Sequence, residues 1–291
     1  KMANLYWKPK TWVKYQDSYD TLPTSLVDTD SIPALVSFSA DVQAEEIKNP
    51  AEIIQFMDIV ELEKVRIKAS LKMNLNKELW EGKVISILKA GAFKDVGETR
   101  KVLALGAPVS ESYLSLFFDI DGIEFAIKNA RPNLFKISKS KNSITEFQFD
   151  VEGELVTSEL PTYPNYSISS GTPITNANLQ GKTNFWASWE LNIKNDYYDQ
   201  FDHSTGKHKL LLTGTEATMK FDYDAGVFAS WTSLVDVGVA VSGTILLNGF
   251  STDSLIFNGK LVNPAMIKER DNVASQEIEI KLTSLETHHG A

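Results

Sequence analysis

The chain has no cysteine, which excludes disulfides, thiolate metal sites and cysteine nucleophiles and fits folding in a reducing cytoplasm. Histidine is scarce, with four in 291 residues, and no strained nucleophile turn is present, so no Ser–His–Asp grouping can be assembled. Long apolar runs are missing. The best candidate, Leu234–Leu247, is broken by Asp236, Ser242 and two glycines. It is too short to span a bilayer, and its valine-rich alternation predicts a buried strand. The opening KMANLYWKPKTW has no apolar core, so a signal peptide is not expected there. Basic charge is also in deficit. Lys and Arg total 29 against 38 Asp and Glu, for a net charge of −9, which argues against a general nucleic-acid-binding surface. An acidic wall past which nucleic acid slides is still compatible with that balance.

What is present is repetition. Ile123–Val151, IEFAIKNARPNLFKISKSKNSITEFQFDV, aligns with Leu255–Leu282, LIFNGKLVNPAMIKERDNVASQEIEIKL. Phe125 meets Phe257, Pro132 meets Pro264 and Lys136 meets Lys268, at 264 − 132 = 132, and after one lost residue Glu146-Phe147 meets Glu277-Ile278 at 277 − 146 = 131. Each copy predicts a strand, a proline-marked turn, a polar lysine-containing loop and an alternating strand. A second echo, Lys64–Asn76 against Lys182–Lys194, keeps a shift of 118, as in Ala69/Ala187 and Asn74/Asn192. On this alignment the second copy holds 132 − 118 = 14 extra residues. Two blocks in the same order mark internal duplication.

The expected plan is mainly β: two tandem β-sandwich or partly open barrel domains, each with a short flanking helix. The boundaries are 1–48 for an extended N-terminal arm, 49–156 for the first domain, 157–180 for a linker and 181–287 for the second domain. In the arm, Tyr6, Trp7, Trp12 and Tyr15 alternate with Lys8, Lys10 and Lys14. Such a ladder can stack bases, but on an acidic chain packing against another domain or subunit is the preferred reading. Removing residues 1–20 is therefore expected to abolish assembly and leave the domains folded. Asn49-Pro50-Ala51-Glu52 predicts a helix start, continued by Ile53, Ile54 and Met57. A second helix is expected after Asp224, with Phe228, Trp231 and Val235 on one face.

Motifs for chemistry fail on inspection, and no catalytic, cofactor or metal site is assigned. Gly181-Lys182-Thr183 lacks the earlier glycine of a phosphate loop and precedes a strand. Asp119-Ile120-Asp121-Gly122 and Asp222-Tyr223-Asp224 read as turns, because a calcium loop needs more ligands and a late Glu. Asp199, Asp202, His203 and His208 read as a solvated hairpin, and His288 and His289 as a mobile tail. The run Lys128, Arg131, Lys136, Lys139, Lys141 has no internal acid, and its counterpart keeps Lys260, Lys268 and Arg270. Subunit contacts are accordingly expected at Tyr6, Trp7, Trp12, Tyr15, Lys136, Lys139, Lys141, Lys268 and Arg270. A soluble edge guarded by lysines is the alternative.

With this plan the chain resembles the tail tube proteins of long-tailed bacteriophages, especially those with two tandem tube domains. The likeness rests on the two echoed blocks, the arm, the acidic balance and the lack of cysteine, and covers most of residues 49–285. It implies a non-enzymatic virion subunit, assembled in the host cytoplasm and without membrane insertion. Trimers would imitate hexameric rings, with inner strands forming a continuous barrel. The rings would stack with other tail proteins into a conduit whose acidic lumen lets DNA pass without specific binding. A tail-tip or baseplate ring with the same domains is one alternative. Another is a two-domain surface or carbohydrate-binding β protein, with Trp186 and Trp189 as aromatic platforms.

Overall fold

The computed structural model describes residues 8–16, 18–41, 66–96, 102–106, 112–168, 170–180, 188–202, 207–224, 237–247, 250–270 and 273–290. In the first half, β1 (Lys10–Gln16), β2 (Ser31–Ile32), β3 (Leu35–Asp41) and β4 (Arg66–Asn74) precede α1 (Lys77–Glu81) and α2 (Lys83–Lys89). The half continues with β5 (Phe93–Asp95), β6 (Val102–Leu105), β7 (Tyr113–Ile120), β8 (Ile123–Lys139) and β9 (Glu146–Val156). The second half comprises β10 (Ala177–Leu179), β11 (Ser188–Asp202), β12 (Lys207–Asp224), β13 (Ala240–Leu247), β14 (Phe250–Arg270) and β15 (Val273–His289). The fold is mainly β, as the alternation predicts, and the strands form one large antiparallel sheet that is not closed into a barrel.

The duplication is written in the strand order. The first half runs β2-β1-β7-β8-β9-β4-β3 and the second β10-β13-β14-β15-β12-β11. Taken outward from the long hairpin, the two orders match strand for strand, except that β2 at the outer edge of the first half has no counterpart among the described residues. This corrects the second sequence echo. β4 pairs with β9, setting Leu71 opposite Phe149, and the strand with that role in the second half is β12, setting Met219 opposite Ile280. β11, which carries the echoed Ser188 and Asn192, lies one strand further out, in the place of β3. Its likeness to β4 comes from a shared environment, one face apolar and one polar, rather than from equivalent position. The length difference also reverses. From Leu71 to Phe149 is 149 − 71 = 78 residues, and from Met219 to Ile280 it is 280 − 219 = 61, so the first half carries the surplus.

That surplus includes the described helices. Asn76 caps α1, its side-chain oxygen accepting from the Leu79 amide at 2.8 Å. Leu79, Trp80, Val84, Ile87 and Leu88 are buried on one side of the helix pair. From sequence, α2 reads only as part of the Gly- and Ala-rich passage Gly82–Pro108, and α1 lies before that passage. The helices expected from Asn49 and after Asp224 lie outside the described residues.

Pro132 and Pro264 do not mark turns. Each lies inside a long strand at a register irregularity, where a residue with no N–H to donate is tolerated. The first hairpin turns at residues 140–145, whereas in the second half β14 runs to Arg270 and β15 begins at Val273, so the two hairpins drift from the constant shift. Lys136, Lys139, Lys268 and Arg270 consequently lie on β8 and β14 rather than on a loop, and Lys141 lies in the first turn.

The N-terminal segment is part of the sheet. β1 pairs with β7 along its whole length, from Lys10↔Asp119 to Gln16↔Tyr113. Trp12 is 1% exposed and packs edge-on against Tyr163 and Tyr166, at 5.1 and 5.4 Å between ring centroids. Those tyrosines belong to the expected linker, which is bound down along the first half. The Tyr163 hydroxyl donates to the Phe125 carbonyl at 2.9 Å and Tyr166 to the Ile32 carbonyl at 2.8 Å. Deleting residues 1–20 would therefore remove a sheet strand and a core tryptophan, which makes it a folding lesion rather than a clean loss of assembly.

The C-terminal end is likewise fixed, against the expectation of a mobile tail. His289 is 1% exposed and stacks on Trp80 at 4.3 Å. The Trp80 indole donates to the His288 carbonyl at 2.9 Å, and β6 pairs with β15 at Leu103↔Thr287. First-half helix and hairpin thus clasp the last strand of the second half. Trp80→Ala is expected to destabilise the whole chain by about 3–5 kcal/mol, read as a shifted midpoint in denaturant unfolding.

Candidate assembly interface

The two halves meet edge to edge. β8 gives its N-terminal part to β7, from Ile120↔Ile123 to Leu114↔Ala130, and its C-terminal part to β11, from Leu134↔Lys194 to Lys139↔Trp189. One sheet therefore passes without a break through β4-β9-β8-β11-β12-β15. Its inner face is apolar in matched rows. Met73, Phe147, Ile137, Leu191, Met219 and Ile280 stand opposite one another in turn, and all are buried. At about 25 cal/mol per Å² of apolar area, each such side chain contributes roughly 1.5–3 kcal/mol.

The opposite face is polar in equally matched rows. Asn74, Glu146, Ser138, Glu190, Lys220, Glu279 and Asn263 run across seven strands. Its charges are paired across strands: Lys72 with Glu146 at 2.9 Å, Lys136 with Glu190 at 2.6 Å, Lys281 with Glu216 at 2.8 Å and Lys220 with Glu279 at 3.6 Å. These pairs are substantially exposed, and each contributes only about 0–1 kcal/mol. This face is thus mixed in charge.

At the junction the β8 bulge carries Arg131, 2% exposed. Its guanidinium lies between the rings of Tyr113 and Tyr197, at 5.2 and 5.0 Å, a cation–π arrangement strengthened by burial. Nη1 donates to the Leu210 carbonyl of β12 at 2.8 Å. The Pro132 carbonyl accepts from both the Tyr197 hydroxyl, at 2.7 Å, and Asn195 Nδ2, at 2.9 Å. First-half backbone is thus gripped by second-half side chains. Burial pushes the Tyr197 phenol up to about 12, against the opposing pull of Arg131.

A polar knot holds the chain after β1 in place. Gln16 Nε2 donates to Asn129 Oδ1 at 2.7 Å, Asn129 Nδ2 to Glu154 Oε1 at 3.2 Å, and the Tyr19 hydroxyl to the same oxygen at 3.2 Å. Asn129 sits at φ 52, a left-handed conformation that asparagine tolerates better than most residues.

The expected contact residues now have definite places. Trp12 is interior to the chain. Tyr15 is half-buried and donates to Ser112 Oγ at 2.8 Å. Lys136 bridges the halves through Glu190. Lys139 is 8% exposed and donates to the Ser140 and Ser143 carbonyls at 3.0 and 2.5 Å; burial lowers its pKa. These four serve contacts within the chain. Lys141 is exposed, Tyr6 and Trp7 lie outside the described residues, and the side chains of Lys268 and Arg270 do as well. Trp189 is 2% exposed and donates to the Ala177 carbonyl at 3.0 Å, so it forms no surface platform; Trp186 lies outside the described residues. The junction residues Arg131, Asn195 and Tyr197 went unrecognised as a set, because 195 − 131 = 64 residues separate them in sequence and no local pattern joins them.

Among the described residues no cluster of three His, Asp or Glu side chains could hold a metal, and no helix is long and apolar enough to cross a membrane. No family model matches the chain, and no curated protein matches it.

Tyr197 gives a pH test of the junction. A phenol whose folded pKa lies above its unfolded value near 10 adds stability that is complete below that value and is lost as pH climbs toward 12. Tyr197→Phe is expected to cost about 1 kcal/mol at neutral pH, for the lost bond to Pro132. It should also flatten part of the alkaline fall in unfolding free energy between roughly pH 10 and 12. An unchanged alkaline limb would show that the phenol does not carry it.

Proposed function

We propose that the chain is a structural subunit that builds a ring, and by stacking of rings a tube, as the tail tube subunits of long-tailed phages do. One observation carries this reading: the two halves share one strand order apart from β2 and are joined edge to edge into a single sheet, apolar on one face and polar on the other. A chain made this way contains a worked example of how one unit is added to the next, and adding further units by the same rule extends a wall. The polar face would then line a conduit. Its cross-strand ion pairs leave few charges unanswered, so a nucleic acid passing it would meet alternating signs instead of an attractive basic track. That differs from the acidic lumen that the family resemblance implies. In this reading the partners are other copies of the chain and other tail proteins, and the location is the virion.

Electron microscopy of the purified protein over a concentration series tests the proposal. Rings or hollow tubes are expected, growing in number with concentration. A compact monomer persisting at the highest concentration would overturn the reading.

A further inference from the structure

The internal junction has a counterpart that, among the described residues, carries no strand. Within the chain, β11 lies along the outer edge of β8 just beyond the point where β7 stops. In the second half β14 holds the place of β8. Its neighbour β13 reaches Lys260, and the last bonds from that side link Leu261 to Gly238 and Val239. Beyond Leu261, among the described residues, the outer edge of β14 carries no strand. In the first half β3 holds the place of β11. It pairs with β4 on one side and, among the described residues, with no strand on the other. One chain therefore presents an acceptor edge at one end of its sheet and a donor edge at the other.

The register follows from the rows. Gln148 pairs with Lys136 and Glu279 with Asn263, at 279 − 148 = 131, so Asn263 holds the place of Lys136. Lys136 faces Asn192 of β11. Asn192 reaches Lys281 through Thr218, just as Ser37 reaches Asp150 through Ser70, and 281 − 150 = 131. Ser37 therefore holds the place of Asn192. By the same steps Met266 answers to Ser138 and Leu35 to Glu190. Leu35 and Val262, 36% and 37% exposed, are among the exposed large apolar side chains and lie on or beside these edges.

We propose that β3 of one copy adds antiparallel to the 262–270 stretch of β14 in a second copy, placing Ser37 opposite Asn263 and Leu35 opposite Met266. The contact is head-to-tail, so each added copy presents the same open edge again, and the series ends only by closing on itself. It deepens the assembly reading by naming the edges and their register.

The absence of cysteine makes a direct test available. Ser37→Cys and Asn263→Cys are made singly in the full chain, since both positions are away from the core, and circular dichroism confirms folding. The two proteins are mixed and treated with a short bis-maleimide, because directly opposed side chains stand about 4.5–5.5 Å apart at Cβ. The expected product is a mixed dimer joined through residues 37 and 263, identified by peptide mass spectrometry, well above either homodimer. The double variant should give a ladder of multimers. Assemblies visible by microscopy without the 37–263 link would overturn the edge pairing and leave the assembly reading standing. A link formed within one chain would overturn the pairing, since it would place the two edges together in a single molecule. Absence of both link and assemblies would overturn the two together.

Discussion

Everything in this molecule depends on keeping alternation in phase across the junction between its halves. A strand has a side-chain period of two, so a slip of one residue between β8 and β11 would turn Leu191 and Ile193 outward and Glu190 and Asn192 inward. Matched apolar rows oppose such a slip, because burying a single unpaired carboxylate costs more than several exposed ion pairs return. The bulge at Arg131 and Pro132 lets β8 leave β7 and take up β11 on the same edge. Around that irregular backbone, Tyr197, Asn195 and the buried guanidinium satisfy the Pro132 carbonyl and one of β12.

The joint also explains why the halves are not independent beads. A single cluster of buried apolar residues extends from Val13 through Phe135 and Ile193 to Leu285. The first half lends β6 and Trp80 to the end of β15, while the second lends β11 to β8. This exchange is reciprocal, and it couples the stability of each half to that of the other.

Much of the fold was legible in the sequence because strands announce themselves locally. Alternation at Leu71, Met73 and Leu75, and the repeated Glu-apolar pairs of β9 and β15, identified a duplicated β protein. What sequence could not supply was which alternating strand stood where. β4 and β11 look alike because both alternate apolar residues with polar ones, Ser70, Lys72 and Asn74 in one and Ser188, Glu190 and Asn192 in the other, and only hydrogen-bond register separates them. The same limit applied to single residues. Trp12 and Tyr15 have the composition of a contact arm, yet pairing between β1 and β7 turns them into interior parts. Lys136 and Lys139 read as a free basic edge until their partners, distant in sequence, came into place.

The clasp of β6 on β15 bears on the order in which the chain can form. Leu103 and Thr287 are neighbours in the sheet but 287 − 103 = 184 residues apart. Long-range pairings of this kind slow folding, since loop-closure entropy is spent before the contact returns it. On a ribosome the first half emerges with the stretch of β8 that takes β11 and the edge of β6 that takes β15 both open, and neither is paired until the second half follows. β15, which follows every other described strand in sequence, is therefore the one that completes this sheet. A product truncated before the second half would keep sticky first-half edges, whereas a chain that includes the second half covers them.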